Sequence, residues 1–196
     1  MLKKIFGSKA PRLSRLSTPV GGVKAIEGSS SAELAARLLR TRSALQQLSM
    51  EEARVVVSFM RPKRISEGVT FIRESDKRNT GFMLLVLEGE VTVESIVVSR
   101  TAPVTVRVLG PGSLIGEMGL IDGLPRTASC TATSPIHAAV LTRSALEKLL
   151  RDNPPVAAKL LLAISLRLAE RMRDTSEKLK MYTQLTQAMQ QELARN

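Results

Sequence analysis

The 196-residue chain has no tryptophan, one tyrosine, one histidine and one cysteine. Aromatic residues are 3% of the total, which argues against the exposed stacking platforms of single-strand nucleic-acid binders. A lone cysteine, Cys130, rules out an intrachain disulfide framework and fits a reducing cytoplasm. It lies in an apparent strand and reads as a buried thiol. One histidine, His137, beside one cysteine gives neither a metal cluster nor a catalytic triad. No apolar run approaches the roughly 18 residues of a membrane span. Met1 to Phe6 begins like a signal peptide, but no apolar region of about 7–15 residues follows. No nucleophile has a base beside it in any motif, and the acids and bases are not grouped as a general acid–base pair, so an enzyme is not expected. These absences describe a non-enzymatic cytoplasmic protein without cofactor or metal.

An apolar fraction of 43% supports an aliphatic core of one domain with extensions. The net charge of +11 is uneven: residues 1–48 carry +7 and the remaining 148 carry +4. Residues 1–30, with Gly7, Pro11, Pro19, Gly21, Gly22 and Gly28, read as a flexible basic arm. Such an arm could bind polyanions without specificity, or touch a membrane or partner weakly through Leu2, Ile5 and Phe6.

Residues 31–62 are expected to form N-terminal helices. Ser30 and Glu33 have the spacing of a capping box, with Leu34, Ala35, Leu38 and Leu39 forming the apolar face behind it. Ser49 and Glu52 make a second box, opening a helix through Met60 that stops before Pro62. Residues 63–151 are expected to hold the β domain, in which short strands alternate with turns from Lys63 to Leu141: Thr70–Arg73, Met83–Leu87, Glu90–Ile96, Val104–Leu109, Ala128–Thr133 and Ile136–Leu141. This spacing suggests an all-β barrel or jelly roll. The polar run from Glu74 to Gly81 reads as a solvated loop. A short helix follows from Thr142 through Leu150, closed by Asn153-Pro154-Pro155. Residues 152–196 are expected to hold one long helix: from Val156 to about Ala194 there is neither Gly nor Pro.

The most informative stretch runs from Gly112 to Ala132. Gly112 and Gly116 let the backbone approach a ligand closely. Glu117-Met118-Gly119-Leu120 forms one helical turn whose free N–H groups suit an anion. Arg126 follows Gly123 and Pro125 and offers the fork geometry that fits phosphate; Thr127 adds a hydroxyl. Glu117 cannot serve a phosphate but suits a sugar hydroxyl. A sugar phosphate is therefore the expected ligand class, against a bare surface ion pair between Glu117 and Arg126.

Gly116, Glu117, Gly119, Leu120, Pro125, Arg126, Thr127 and Ala128 resemble the phosphate-binding cassette of cyclic-nucleotide-binding domains. The resemblance implies a mainly β fold with flanking helices, a double-stranded β-helix (jelly-roll) barrel holding cassette 112–132. It gives Glu117 the ribose 2′-hydroxyl and gives Arg126 and Thr127 the cyclic phosphate, with Gly116, Met118, Gly119 and Ala128 in the same pocket wall. Thr127 is also what cGMP-binding kinases carry there, and some relatives have shifted to cyclic di-GMP.

On the long helix, Leu161, Ile164, Leu168, Met172, Thr175, Leu179, Tyr182, Leu185, Met189 and Leu193 recur in steps of mostly three and four, a pattern that suits a helix–helix seam and a homodimer. Ala169, Arg171, Thr175, Ser176, Glu177 and Lys178 resemble the dimer helix of Crp-like regulators. That resemblance implies that Thr175 and Ser176 read the adenine of cAMP, one from each subunit, and that Arg171 pairs with Glu117. Position 170 is Glu where those regulators have Arg. Since the chain stops at Asn196, no helix-turn-helix is expected after the helix, nor sequence-specific DNA binding of that kind. The expectation is a stand-alone cyclic-nucleotide receptor, for cAMP first, then cGMP or cyclic di-GMP, signalling to an unknown effector protein; the alternative is a ligand-free dimeric scaffold.

Overall fold

A computed structural model describes residues 30–41, 45–95 and 104–193. The basic arm lies outside the described residues. The elements run α1 (Ser30–Leu39), α2 (Met50–Ser58), β1 (Arg61–Ile65), β2 (Thr70–Ile72), β3 (Phe82–Glu88), β4 (Val91–Ser95), β5 (Val104–Leu109), β6 (Leu114–Ile115), α3 (Glu117–Asp122), β7 (Ser129–Ala132), β8 (Ile136–Thr142), α4 (Arg143–Asp152) and α5 (Pro154–Leu193).

The strands pair antiparallel in two four-stranded sheets, ordered β1-β8-β3-β6 and β2-β7-β4-β5. The jelly-roll expectation holds, as two facing sheets rather than a closed barrel. β3 shows why the layers stack: nearly every residue in it is buried. Leu84 and Val86 point into a core shared with Ile72, Val91 and Cys130 of the second sheet. Met83, Leu85 and Leu87 point the other way, into a core built with α1, α2, α4 and the first turns of α5. The first sheet is thus covered on both faces.

β1 went unrecognised in the sequence because Arg61, Pro62, Lys63 and Arg64 are all exposed and show no alternation. It is an edge strand, and its cations and proline blunt that edge. β6 is only two residues long, too short to carry a period.

The capping box at Ser49 is formed: Glu52 N–H donates to Ser49 Oγ at 3.2 Å and Ser49 N–H to the Glu52 carboxylate at 2.8 Å. The box expected at Ser30 is not. Ser30 is already inside α1, and Glu33 is drawn instead to Arg54, whose Nε and Nη2 each donate to it at 3.1 Å. The buried face of α1 is Ala35, Ala36 and Leu39; Leu34 turns to solvent.

α5 spans 40 residues, about 60 Å of helix. Val156, Ala157, Leu160, Ala163 and Ile164 root it in the helical core. Beyond them the apolar positions Met172, Leu179, Tyr182, Leu185, Met189 and Leu193 are exposed. Among the described residues no helix is long and apolar enough to cross a membrane.

Candidate functional site

Between the second sheet, the 112–132 loop and the middle of α5 lies a cavity of about 820 Å³. Its floor is apolar, with Ile72, Val93, Leu109, Leu114, Ile115 and Cys130. Its rim is charged: Arg107, Arg126, Arg167, Arg171 and Lys178 outnumber Glu117, Asp122 and Asp174. An apolar floor under a cationic rim suits an organic anion.

The cassette backbone is set by its glycines. Gly116 precedes α3 at φ 85° and Gly123 follows it at φ 71°, both in the left-handed region. Glu117, the first residue of α3, is 2% exposed, and Arg171 of α5 closes on its Oε1. That ion pair joins the cassette to the long helix and places Arg171 where the resemblance put it.

Arg126 is 6% exposed, and its position was not foreseen. Its Nε donates to Asn79 O at 3.1 Å, Nη1 to Gly116 O at 3.0 Å, and Nη2 to Asn79 O and Phe82 O at 2.9 and 3.0 Å. Four of five N–H donors therefore meet backbone carbonyls. The guanidinium also stacks 4.5 Å from the Phe82 ring centroid. Burial lowers its pKa from the ordinary arginine value, against the pull of nearby acids such as Asp76 and Glu117. The loop before β3 is thus more than a solvated turn. Asn79 and Phe82 supply carbonyls to Arg126, and the backbones of Ser75 and Asp76 bond to that of Arg126.

Of the other sequence-derived candidates, Gly116, Met118, Gly119, Thr127, Ala128 and Thr175 line the cavity; Ser176 does not. The Thr175 hydroxyl donates to Arg171 O at 2.8 Å. Sequence reasoning missed Arg107, Arg167 and Tyr182, which also line the space. Burial lowers the pKa of Arg167 most, with Glu117 opposing and Arg171 and Arg107 adding to the shift. A single arginine on a helix or strand has no motif; only the fold brings these together. Cys130 is buried in the floor, and desolvation pushes its thiol up to about 12. His137 faces Glu88 at 2.8 Å, away from the cavity lining.

A two-sheet jelly roll with a glycine-bounded cassette opposite a long helix defines the class of nucleotide-binding regulatory domains. Residues 62–153 match the model of the cyclic nucleotide-binding domain. A crystal structure of a cyclic nucleotide-binding domain from Methylobacillus flagellatus is 31% identical, with a TM-score of 0.64 over 76% of this chain and 82% of that one. The chain belongs to the cyclic nucleotide-binding domain family. The catabolite activator protein of Thermus thermophilus superposes with a TM-score of 0.60 at 28% identity, over 69% of this chain and 61% of that one. Among curated proteins, the CRP-like cAMP-activated global transcriptional regulator of Mycobacterium tuberculosis is 27% identical over 124 residues, 61% of this chain and 50% of the relative. The chain therefore spans about half the length of that relative.

Proposed function

We propose that the chain is a cytoplasmic receptor for a cyclic nucleotide, cAMP in the first instance, without catalytic activity of its own. The observation that carries this reading is the Glu117–Arg171 pair at the mouth of a cation-rimmed cavity. Among the described residues the only hydrogen bond to the Glu117 carboxylate is on Oε1, which leaves Oε2 for a ribose 2′-hydroxyl. The cyclic phosphate would lie against Thr127, the N–H groups of the Glu117–Gly119 turn and Arg126. Arg126 has a single N–H left over from the carbonyls, so a two-pronged grip on phosphate must release Asn79, Phe82 or Gly116. The base would extend along α5 toward Thr175.

The preference for cAMP draws support from the cAMP-activated mycobacterial relative. The exposed seam of α5 supports a homodimer, and Ser176, off its own cavity, would then face the partner's. Ligand bound to both the cassette and α5 would bias the helix position, which an effector protein could read.

Titration with cAMP and with its 2′-deoxy analogue tests the reading on the unaltered chain. A hydrogen bond to a charged group is worth about 1.5–3 kcal/mol, so the deoxy ligand should bind roughly ten- to a hundredfold more weakly. Equal affinities would remove Glu117 from the sugar site. Saturable binding of cGMP or cyclic di-GMP alone would keep the cassette and displace cAMP. No binding of any, by an intact dimer, would favour the scaffold.

A further inference from the structure

Arg143 lies outside the cavity lining, yet it is built into the back of the cassette. It opens α4 directly after β8, and its backbone N–H donates to Gly81 O at 2.8 Å. Its Nη2 donates to Gly119 O at 3.1 Å and to Leu120 O at 2.9 Å. These are carbonyls of α3, a helix of six residues. So short a helix does not hold itself in water, and bonds from outside decide its position.

The surroundings are fitted to the guanidinium. A Cβ at Gly123 would lie 3.1–3.5 Å from its atoms, on a backbone at φ +71° that side chains rarely adopt. Thr80, itself buried, donates to Gly123 O at 3.1 Å from beside it. On another side of Gly119, Arg126 Nη1 stands 2.7 Å from where a Cβ would be. Gly119 is thus gripped between two guanidinium groups, of which only Arg126 borders the cavity.

One further detail separates this from an ordinary surface arginine. Among the described residues, Arg143 Nε is buried and meets no acceptor. Leaving a buried donor unmet is unfavourable, and a side chain with a free choice would swing outward to water. The two bonds to α3 hold it in place against that penalty. Its own helix, α4, packs on α5, which supplies Arg171 to Glu117. One residue therefore spans the cassette and the helical layer.

We propose that Arg143 is a positioning residue for the ligand site: it fixes the cassette backbone relative to α4 and α5, so that Glu117 and Arg126 are presented together. The role rests on the receptor reading above. The full chain carrying R143M, and separately R143K, would be compared with the parent in cAMP affinity, unliganded melting temperature and amide hydrogen exchange. R143M should weaken cAMP binding about tenfold and speed exchange at the Leu120 and Gly123 amides, with β3 and β8 unchanged. R143K, which keeps a cation at those carbonyls, should recover part of the affinity. R143M that binds as the parent does, or exchange that speeds equally in β3 and β8, would overturn the positioning role alone. A parent that binds no cyclic nucleotide would remove the receptor reading and this role with it.

Discussion

Cys130 sits among aliphatic side chains on the cavity floor, and that setting rather than its residue type fixes its chemistry. Desolvation raises its thiol pKa from 9.0 to about 12, with Arg126 pulling the other way. Between pH 9.0 and about 12 the unfolded chain has lost a proton that the folded chain keeps, so this group's stability contribution is complete below pH 9.0 and declines as pH rises through that window. A C130A variant should lose less stability than the parent between pH 8 and 11, as followed by urea unfolding at each pH. Parallel declines would show that the thiol is not buried. The burial was legible in the sequence, because a lone cysteine in an apolar strand has that environment more often than not. The position of Arg126 was not, because its partners are the carbonyls of Asn79, Gly116 and Phe82, and a carbonyl is the same whatever residue carries it.

At the scale of elements, the cassette was legible because its turns demand particular residues. Gly116 and Gly123 take left-handed backbone on either side of α3, and a sequence can hardly hide that requirement. Gly119 is needed for a different reason. A Cβ there would come within 2.7 Å of both Arg126 Nη1 and Thr80 O. G119A should therefore displace Arg126 or the loop before β3, lowering stability by about 1–3 kcal/mol and weakening ligand binding with it. Thermal unfolding and titration of one preparation check both effects; a variant unchanged in each would mean the contact is slack. β1 and the Ser30 box show where element-level signals fail. An edge strand of Arg, Pro, Lys and Arg has no buried face to give it a period. A Glu three residues after a Ser also caps only if no stronger partner reaches it first, and Arg54 does.

For the whole molecule, the layering follows from β3 having two apolar faces, one for the second sheet and one for the helices. α5 then leaves the body with its root buried and its outer apolar positions exposed. A stripe with Leu179, Tyr182, Leu185 and Met189 in water is unfavourable for a lone chain, and a second copy of the same helix is the economical cover. Sedimentation should give about twice 21.3 kDa for the parent, and L185E with M189E should shift it toward the monomer. A parent that sediments as a monomer at micromolar concentration would remove the dimer. The exposed apolar stripe of α5 was visible from residue spacing alone. That the cavity uses Lys178 and Tyr182, about one and two turns beyond Thr175, was not, because it depends on where the helix crosses the sheet.

On the reading proposed above, the cation-rimmed cavity holds a cyclic nucleotide. Calorimetric titration of the full chain with cAMP, alongside cGMP and cyclic di-GMP, tests it most directly. The expected result is saturable cAMP binding at one ligand per chain, weakened about ten- to a hundredfold in an Arg126→Ala variant still folded at the temperature used. The absence of both binding heat and thermal stabilisation with all three ligands would contradict it.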